Sequence, residues 1–442
     1  MNLRVLAATG VGGVMLLVVL PGSAVSSMRD APTPPCDVGG VQAVIDGKRA
    51  CLWAGLRCRQ RFDSRYRRYG FACTSRGLTI VSRWRIRDIG SLPGFPSARA
   101  MDINERGDVV GASTSEVDDR GRQTDRVFLW RSGRMQDITA VTWPAHVKVA
   151  AINDAGQVLE TLSTHSGEEH AFEWENGVST DLGTLGGAQT HGTAINAHGE
   201  IVGWSETDSR RSIFHAFSWG GGKMHDLGTL GGKLSSATAI NASGQVVGWS
   251  YTANGGGEHV FLSEGGEMRD VTLDSWLGLP VLVNDQGLVV GTSYGNDGGR
   301  AFRWEDGARV DLGLGLRSSA ALLNNRGQVV TLVVEQTESD VADLVLWNED
   351  GSYRDLGRWW GTVDALSDRG HIIRNLWKDK PVGGLPLAFI EERGRPWILG
   401  NLGLRGAYAS ALNEHDQIVG AARTGARHYR AVIWTRRPNP RP

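Results

Sequence analysis

The sequence predicts an all-β chain: a closed ring of repeated four-stranded units behind a small cysteine-linked module. Three observations carry that expectation. Residues 181–205, DLGTLGGAQTHGTAINAHGEIVGWS, are written again at 226–250 as DLGTLGGKLSSATAINASGQVVGWS. A shorter form of the same pattern, Asn-x-x-Gly followed by apolar residues, recurs along the chain. The strand missing from the last copy stands ahead of the first.

The copies begin at Asn104, Asn153, Asn196, Asn241, Asn284, Asn324, Ser367 and Asn413, spaced 40 to 49 residues apart. The last two are degenerate, with Ser367 in place of Asn and Asp416 in place of Gly. A period of this size belongs to a solenoid, a propeller or an array. Each copy reads as four short strands. The first ends in Ala-Ile-Asn and the second is of the Gln-Val-Val-Gly-Trp-Ser type. The third is His-Ala-Phe-x-Trp, as at 170–174 and 215–219, and the fourth ends in Asp-Leu-Gly. The 60 glycines follow no three-residue period, which excludes collagen, and no helical period is sustained after residue 77. Four strands and no helix per copy is the pattern of β-propeller blades.

The turns agree with hairpins. In Asn-x-x-Gly the Asn side chain caps its own turn and the Gly takes positive φ, giving a type I turn closed by a bulge; Trp-x-x-Gly is expected to do the same between strands three and four. The ends predict closure. The last copy stops after its third strand, Arg430-Ala-Val-Ile-Trp434, while Trp84-Arg-Ile-Arg-Asp88-Ile-Gly90 matches the missing fourth. Pairing those two ends closes a ring and removes exposed edges. A β-propeller of eight four-stranded blades is therefore expected over residues 78–436, with seven as the alternative because the seventh copy is weak.

Ahead of the ring, MNLR and the apolar run VLAATGVGGVMLLVVL read as a secretory signal peptide over 1–24, cut near Ala24. An uncleaved anchor is the rival, but the run is short for a span and broken by glycines. Residues 25–35 read as a linker and 437–442 as a disordered tail. Between linker and ring, Cys36, Cys51, Cys58 and Cys73 mark a module over 36–77. An even, clustered set in an exported chain reads as two disulfides, with the pairing open; zinc is disfavoured because no C-x-x-C is present. About 40 residues build little core, so cross-links would hold the module folded. Residues 36–76 carry nine Lys or Arg against three Asp, a net +6, in a chain whose net charge is −1. Arg57, Arg59, Arg61, Arg65, Arg67 and Arg68 surround Phe62 and Tyr66. The plain reading is a solvated face with Arg–aromatic stacking; the functional one is contact with an anionic envelope polymer or with the acidic partner domain. The overall charge argues against a nucleic-acid partner.

The residues His-Ala-Phe-x-Trp, Asp-Leu-Gly-Thr-Leu-Gly-Gly, Ala-Ile-Asn and Gly-x-Val-Val-Gly-Trp-Ser resemble the bacterial extracellular HAF repeat family over residues 84–434. The resemblance implies an exported, propeller-like protein and supplies no catalytic residues. Members often end in a sorting or anchoring segment, and none is evident here.

Little chemistry is legible. Gly291-Thr-Ser293-Tyr-Gly295 fits G-x-S-x-G but lacks the helix a nucleophile elbow needs, and other copies place GWSET and GWSYT there. His170, His215 and His259 share one repeat position, and equivalent positions lie around a ring rather than converging, so no metal site is expected. Asp181, Asp226, Asp311 and Asp355 recur with Asp-Leu-Gly and read as turn caps. No cofactor is expected, nor is an enzyme; the alternative is a polysaccharide hydrolase or lyase with carboxylates near the central channel. The leading expectation is a secreted, monomeric binding or scaffold propeller that recognises a protein or glycan through variable loops between strands two and three. The candidate binding face comprises Trp204, Glu206, Asp208, Arg210, Arg211, Trp249, Tyr251 and Asn254, although Trp204 and Trp249 are read first as core and only second as stacking surfaces, because large aromatics are mostly buried.

Overall fold

The computed structural model describes residues 41–45, 48–52, 56–67, 71–75, 77–80 and 82–437, apart from 143–144, 164–166, 209–212, 254–256, 272–275, 296–297, 314–316, 335–341, 360, 377–386, 403–405 and 426–427. The expected signal peptide, linker, Cys36 and residues 438–442 of the tail lie outside them. Among the described residues, eight four-stranded antiparallel blades form a propeller, six as separate sheets and two, blades 3 and 4, joined in one eight-stranded sheet. Blade 1 runs from Ser97 to Asp137, and blade 3, the sharpest copy, from Thr190 to Gly228. Blade 8 is completed as the sequence predicts: Trp84–Gly90 pairs antiparallel with Tyr429–Arg436, with Trp434 opposite Ile86. Eight blades stand, not seven.

The repeated letters map onto the seams. Buried apolar clusters lie between each consecutive pair of blades, from blades 1 and 2 round to blades 8 and 1, so the core is a ring of wedges. The Asn of Asn-x-x-Gly serves two purposes. Its Oδ1 accepts backbone N–H groups of its own turn, as at Asn196 with Glu200. Its Nδ2 donates to the backbone carbonyl at the same position of the next blade. Asn413 donates to Asn104 O at 3.0 Å across the closure. Asn324 donates to Ser367 O, and Ser367 passes nothing on by this route. At that seam Asn375 pairs with Ala409 through both amide atoms instead (2.7 and 2.9 Å), and the Asp368 N–H reaches Glu414.

The two hairpin types differ from each other. Gly107, Gly199 and Gly244 take φ near +81 in Asn-x-x-Gly turns, and Asp416 accepts φ +59 where the last copy lacks glycine. Trp-x-x-Gly turns do not repeat that geometry. Both central residues have positive φ, as in Asn176 (+50) and Gly177 (+91), which is the type I′ hairpin whose twist matches the flanking strands.

A glycine of the second strand is required by close approach. A Cβ on Gly203 would lie 1.9 Å from His191 O of the inner strand. The aromatic ring of the third strand then closes over it, and Phe128, Phe217, Phe261 and Phe302 are fully buried. Three blades replace this glycine. Thr331 accepts from Trp347 Nε1 at 3.0 Å. Arg374 pairs with Glu391, which stands at the repeat's Trp position, and lies 4.2 Å from the Trp359 ring centroid. Glu160 is fully buried with Oε2 accepting from Ala140 N and Oε1 without a partner.

The cysteine module pairs 41–45 with 48–52 and 71–74 with 77–80, around a helix at Asp63–Arg67. Cys58 and Cys73 are disulfide-bonded. The side chain of Cys51 is not among those described. The module borrows its core: Leu52, Tyr66, Cys73 and Leu78 pack against Phe389 and Ile398 of blade 7, with Trp359 of blade 6 alongside.

Candidate binding face

Both short turns of a blade lie at one end of the ring, so the strand two–three connections and the blade crossovers lie at the other. The Gly-Trp-Ser segment ends the second strand there. Alternation puts Gly203 and Ser205 on one side of the strand and Trp204 on the other. Ser205 is buried and accepts from Leu185 N at 3.0 Å, and Ser250 does the same for Leu230 N at 2.8 Å, so each serine fastens the Thr-Leu-Gly-Gly crossover.

The tryptophans stay half-buried and form a row. His191 stacks on Trp204 (5.8 Å, 5° between planes) and Trp204 meets Phe214 at 5.2 Å. Phe214 crosses to Trp249 of blade 4 (5.8 Å, 88°), and Trp249 meets Tyr251 at 6.0 Å. Beneath the row, Phe214 and Leu234 form a parallel bridge that joins the sheets of blades 3 and 4. Tyr294, 50% exposed, holds in blade 5 the position Tyr251 holds in blade 4.

Both ends of the row are fixed by carboxylates. Glu169 Oε2 lies 2.6 Å from His191 Nδ1. Burial pushes the Glu169 carboxyl up, but the hydrogen bond and charge of His191, with Lys148, outweigh it and hold it below the usual range. Tyr251 donates to Glu258 at 2.8 Å; that bond, with burial and the carboxylate's charge, raises the phenol pKa. The row is thus held in place at both ends before any ligand binds.

Of the expected face, Trp204, Trp249 and Tyr251 come together. Glu206 does not join them: it is 3% exposed, and its carboxylate holds Ala188 N and Gln189 Nε2 of the crossover. Asp208 is half-buried beyond it. Arg210, Arg211 and Asn254 lie outside the described residues. Sequence reasoning missed His191, Phe214, Glu169 and Glu258. The usable signal was Phe214 placed just before His-Ala-Phe, at the end of a strand.

Other candidates resolve into structure. Ser293 of the G-x-S-x-G match is buried and accepts from Arg309. His215 and His259 pair with Asp226 and Asp270 of the adjoining strand at 2.9 and 2.6 Å, and His170 lies 4.0 Å from Asp181. Those aspartates also cap turns, as Asp181 does for Gly183 N and Asp226 for Gly228 N. The inner-strand carboxylates Asp102 and Asp364 are engaged, the first by Ile103 N and Ile152 N, the second by Thr362 and Asn375. Among the described residues no group of three or more His, Cys, Asp or Glu is placed to hold a metal. At the opposite end of the ring, a cleft of about 290 Å³ lies between blades 4 and 5, lined by Gln245, Arg269, Gln286, Trp304 and Asp306.

No protein-family model and no curated protein matches the sequence. Solved structures do. The chain is similar to the β-propeller domain of the Trilobed protease from Pyrococcus furiosus, at 10% identity over 70% of this chain and 97% of that one, TM-score 0.45. It is also similar to a Mycobacterium tuberculosis puromycin-hydrolyzing peptidase, at 14% identity over 77% of this chain and 57% of that one, TM-score 0.45. Pyrococcus horikoshii acylaminoacyl peptidase matches at 11% identity over 77% of this chain and 60% of that one, TM-score 0.45. The likeness is one of fold, and the match spans less than two thirds of either peptidase's length. The expectation that the chain is not an enzyme is corrected by this finding, because propellers similar to it occur in chains that are peptidases.

Proposed function

We propose that the chain is an exported binding propeller of the HAF repeat type whose aromatic row captures a segment of another protein. The observation that carries this reading is the row itself: five adjoining rings, all half-buried, laid across two blades that share a sheet. Half-buried Trp and Tyr, held in place before binding, contribute contact area with little entropy left to lose. The rings consume part of one another's surface, His191 lying flat on one face of Trp204 and Phe214 meeting Trp249 at 88°, so fewer broad faces of the kind sugars stack on are left. That favours a protein segment over a glycan. Export is supported by the charged-then-apolar leader and by a disulfide, which persists in oxidising compartments.

The test is selection of displayed random peptides on the purified mature chain, with a glycan array in parallel. Peptides rich in aliphatic and aromatic residues should be enriched, and Trp249→Ala and Tyr251→Ala should each weaken them by about tenfold. Both variants should still unfold cooperatively on heating. Peptides that bind both variants as well as wild type, or glycans that bind with the same dependence on these rings, would sink the reading.

A further inference from the structure

We propose that the module segment Leu56–Phe62 is a docking site for a linear anionic polymer, separate from the aromatic row. The segment is anchored at three points. Leu56 packs into the core shared with blade 7, and its carbonyl accepts from Leu78 N at 2.8 Å. Cys58 is disulfide-bonded to Cys73, and Gln60 Nε2 donates to Cys73 O at 2.7 Å. Arg57, Arg59 and Arg61, between these anchors, are exposed. Arg59 has φ −113 and ψ 120, an extended conformation. Gln60–Phe62 then form a 3-10 turn that carries Arg61. The result is three exposed guanidinium groups within five residues of a segment braced from behind.

Among the described residues no ion pair engages any of the three. Arg61 and Arg65 lie 4.7 and 5.4 Å from the Phe62 ring centroid, so one ring steadies two cations. Like charges held on one short segment repel, and a run of anions relieves the repulsion. A single small anion would meet one guanidinium, whereas a linear polymer with repeated anionic groups meets all three. Guanidinium suits the task because it binds phosphate or carboxylate through two parallel hydrogen bonds. The module sits over blades 6 and 7, on the far side of the ring from blades 3 and 4, so both surfaces are open together.

The test uses the oxidised mature chain with long-chain inorganic polyphosphate and with polyglutamate, at 50 and 200 mM salt. Wild type should bind at least one polymer; binding to polyphosphate alone assigns a phosphate polymer, and binding to both assigns charge density as the determinant. Arg57→Gln/Arg59→Gln/Arg61→Gln should weaken binding about tenfold or more at the lower salt. It should also flatten the slope of log affinity against log salt by about 2 to 3, near one per lost contact. Arg57→Lys/Arg59→Lys/Arg61→Lys should keep most of the slope. If the triple Gln variant does not fold, Arg59→Gln alone should flatten the slope by about 1. No binding by wild type to either polymer, or an unchanged slope in a folded Gln variant, would overturn the proposal.

Discussion

Blade 3 and blade 7 show the same repeat in its sharpest and most eroded forms. In blade 3 each motif letter keeps its role in the repeat. Gly203 admits the inner-strand carbonyl, Phe217 closes over it, Trp219 fills the seam and Asn196 binds the next blade. In blade 7 the close-approach glycine has moved to the partner strand, where a Cβ on Gly361 would lie 1.9 Å from Asn375 O. Arg374 and Glu391 occupy the former Gly and Trp positions as a buried pair. Phe389 turns its packing toward Trp359 and the cysteine module. The erosion is therefore coordinated. A blade covered by another part of the chain is released from the repeat's own contacts, while one left open keeps them and presents its rings to solvent.

The buried pair offers the strongest way to break this comparison. Burial alone pushes Glu391 up and Arg374 down, and their mutual attraction opposes both shifts. Removing one partner strands the other charge. Glu391→Ala or Arg374→Ala should cost about 3–5 kcal/mol in denaturant unfolding, and Arg374→Met/Glu391→Leu should cost less than either single change. A double variant that costs as much as the two single changes added together would mean that the pair is not one unit.

Blade 2 sharpens the point, since Glu160 occupies the same glycine position with no counter-ion against it. Burial pushes its carboxyl up to about 8, partly offset by the Ala140 N–H and reinforced by Asp137, with Arg126 opposing. A carboxyl raised on folding keeps its proton in the native state, so stability falls as pH climbs from the ordinary carboxyl range toward 8. Glu160→Gln should stabilise the chain by about 3 kcal/mol at pH 8.5, with the gain fading toward pH 5. Equal gains at both pH values would argue against ionisation as the cause. The smallest effect belongs to Ser367→Asn, which supplies the missing side chain in the ring of inter-blade hydrogen bonds and should add about 1 kcal/mol. Loss of stability there would show that Asn375 has taken over that seam in a way the amide disturbs.

The sequence by itself determined what depends on neighbours along the chain. The period, the strand alternation, the positive-φ glycines of Asn-x-x-Gly and the displaced strand at Trp84–Gly90 were all legible, because turn chemistry and strand pattern are local. Even Asp416 in place of glycine marked the position where φ stayed positive. The type I′ geometry of Trp-x-x-Gly was not separable from a bulged turn, since Gly serves both. Of the candidate face, Trp204, Trp249 and Tyr251 were found from their place at strand ends, but Glu206 beside them turns inward to hold a crossover. Only tertiary structure decided that His191 and Phe214 complete the row, that the module rests on blade 7, and that Arg374 answers Glu391. Those contacts join residues from different strands and blades, and their energy comes from burial, which no single stretch of chain specifies.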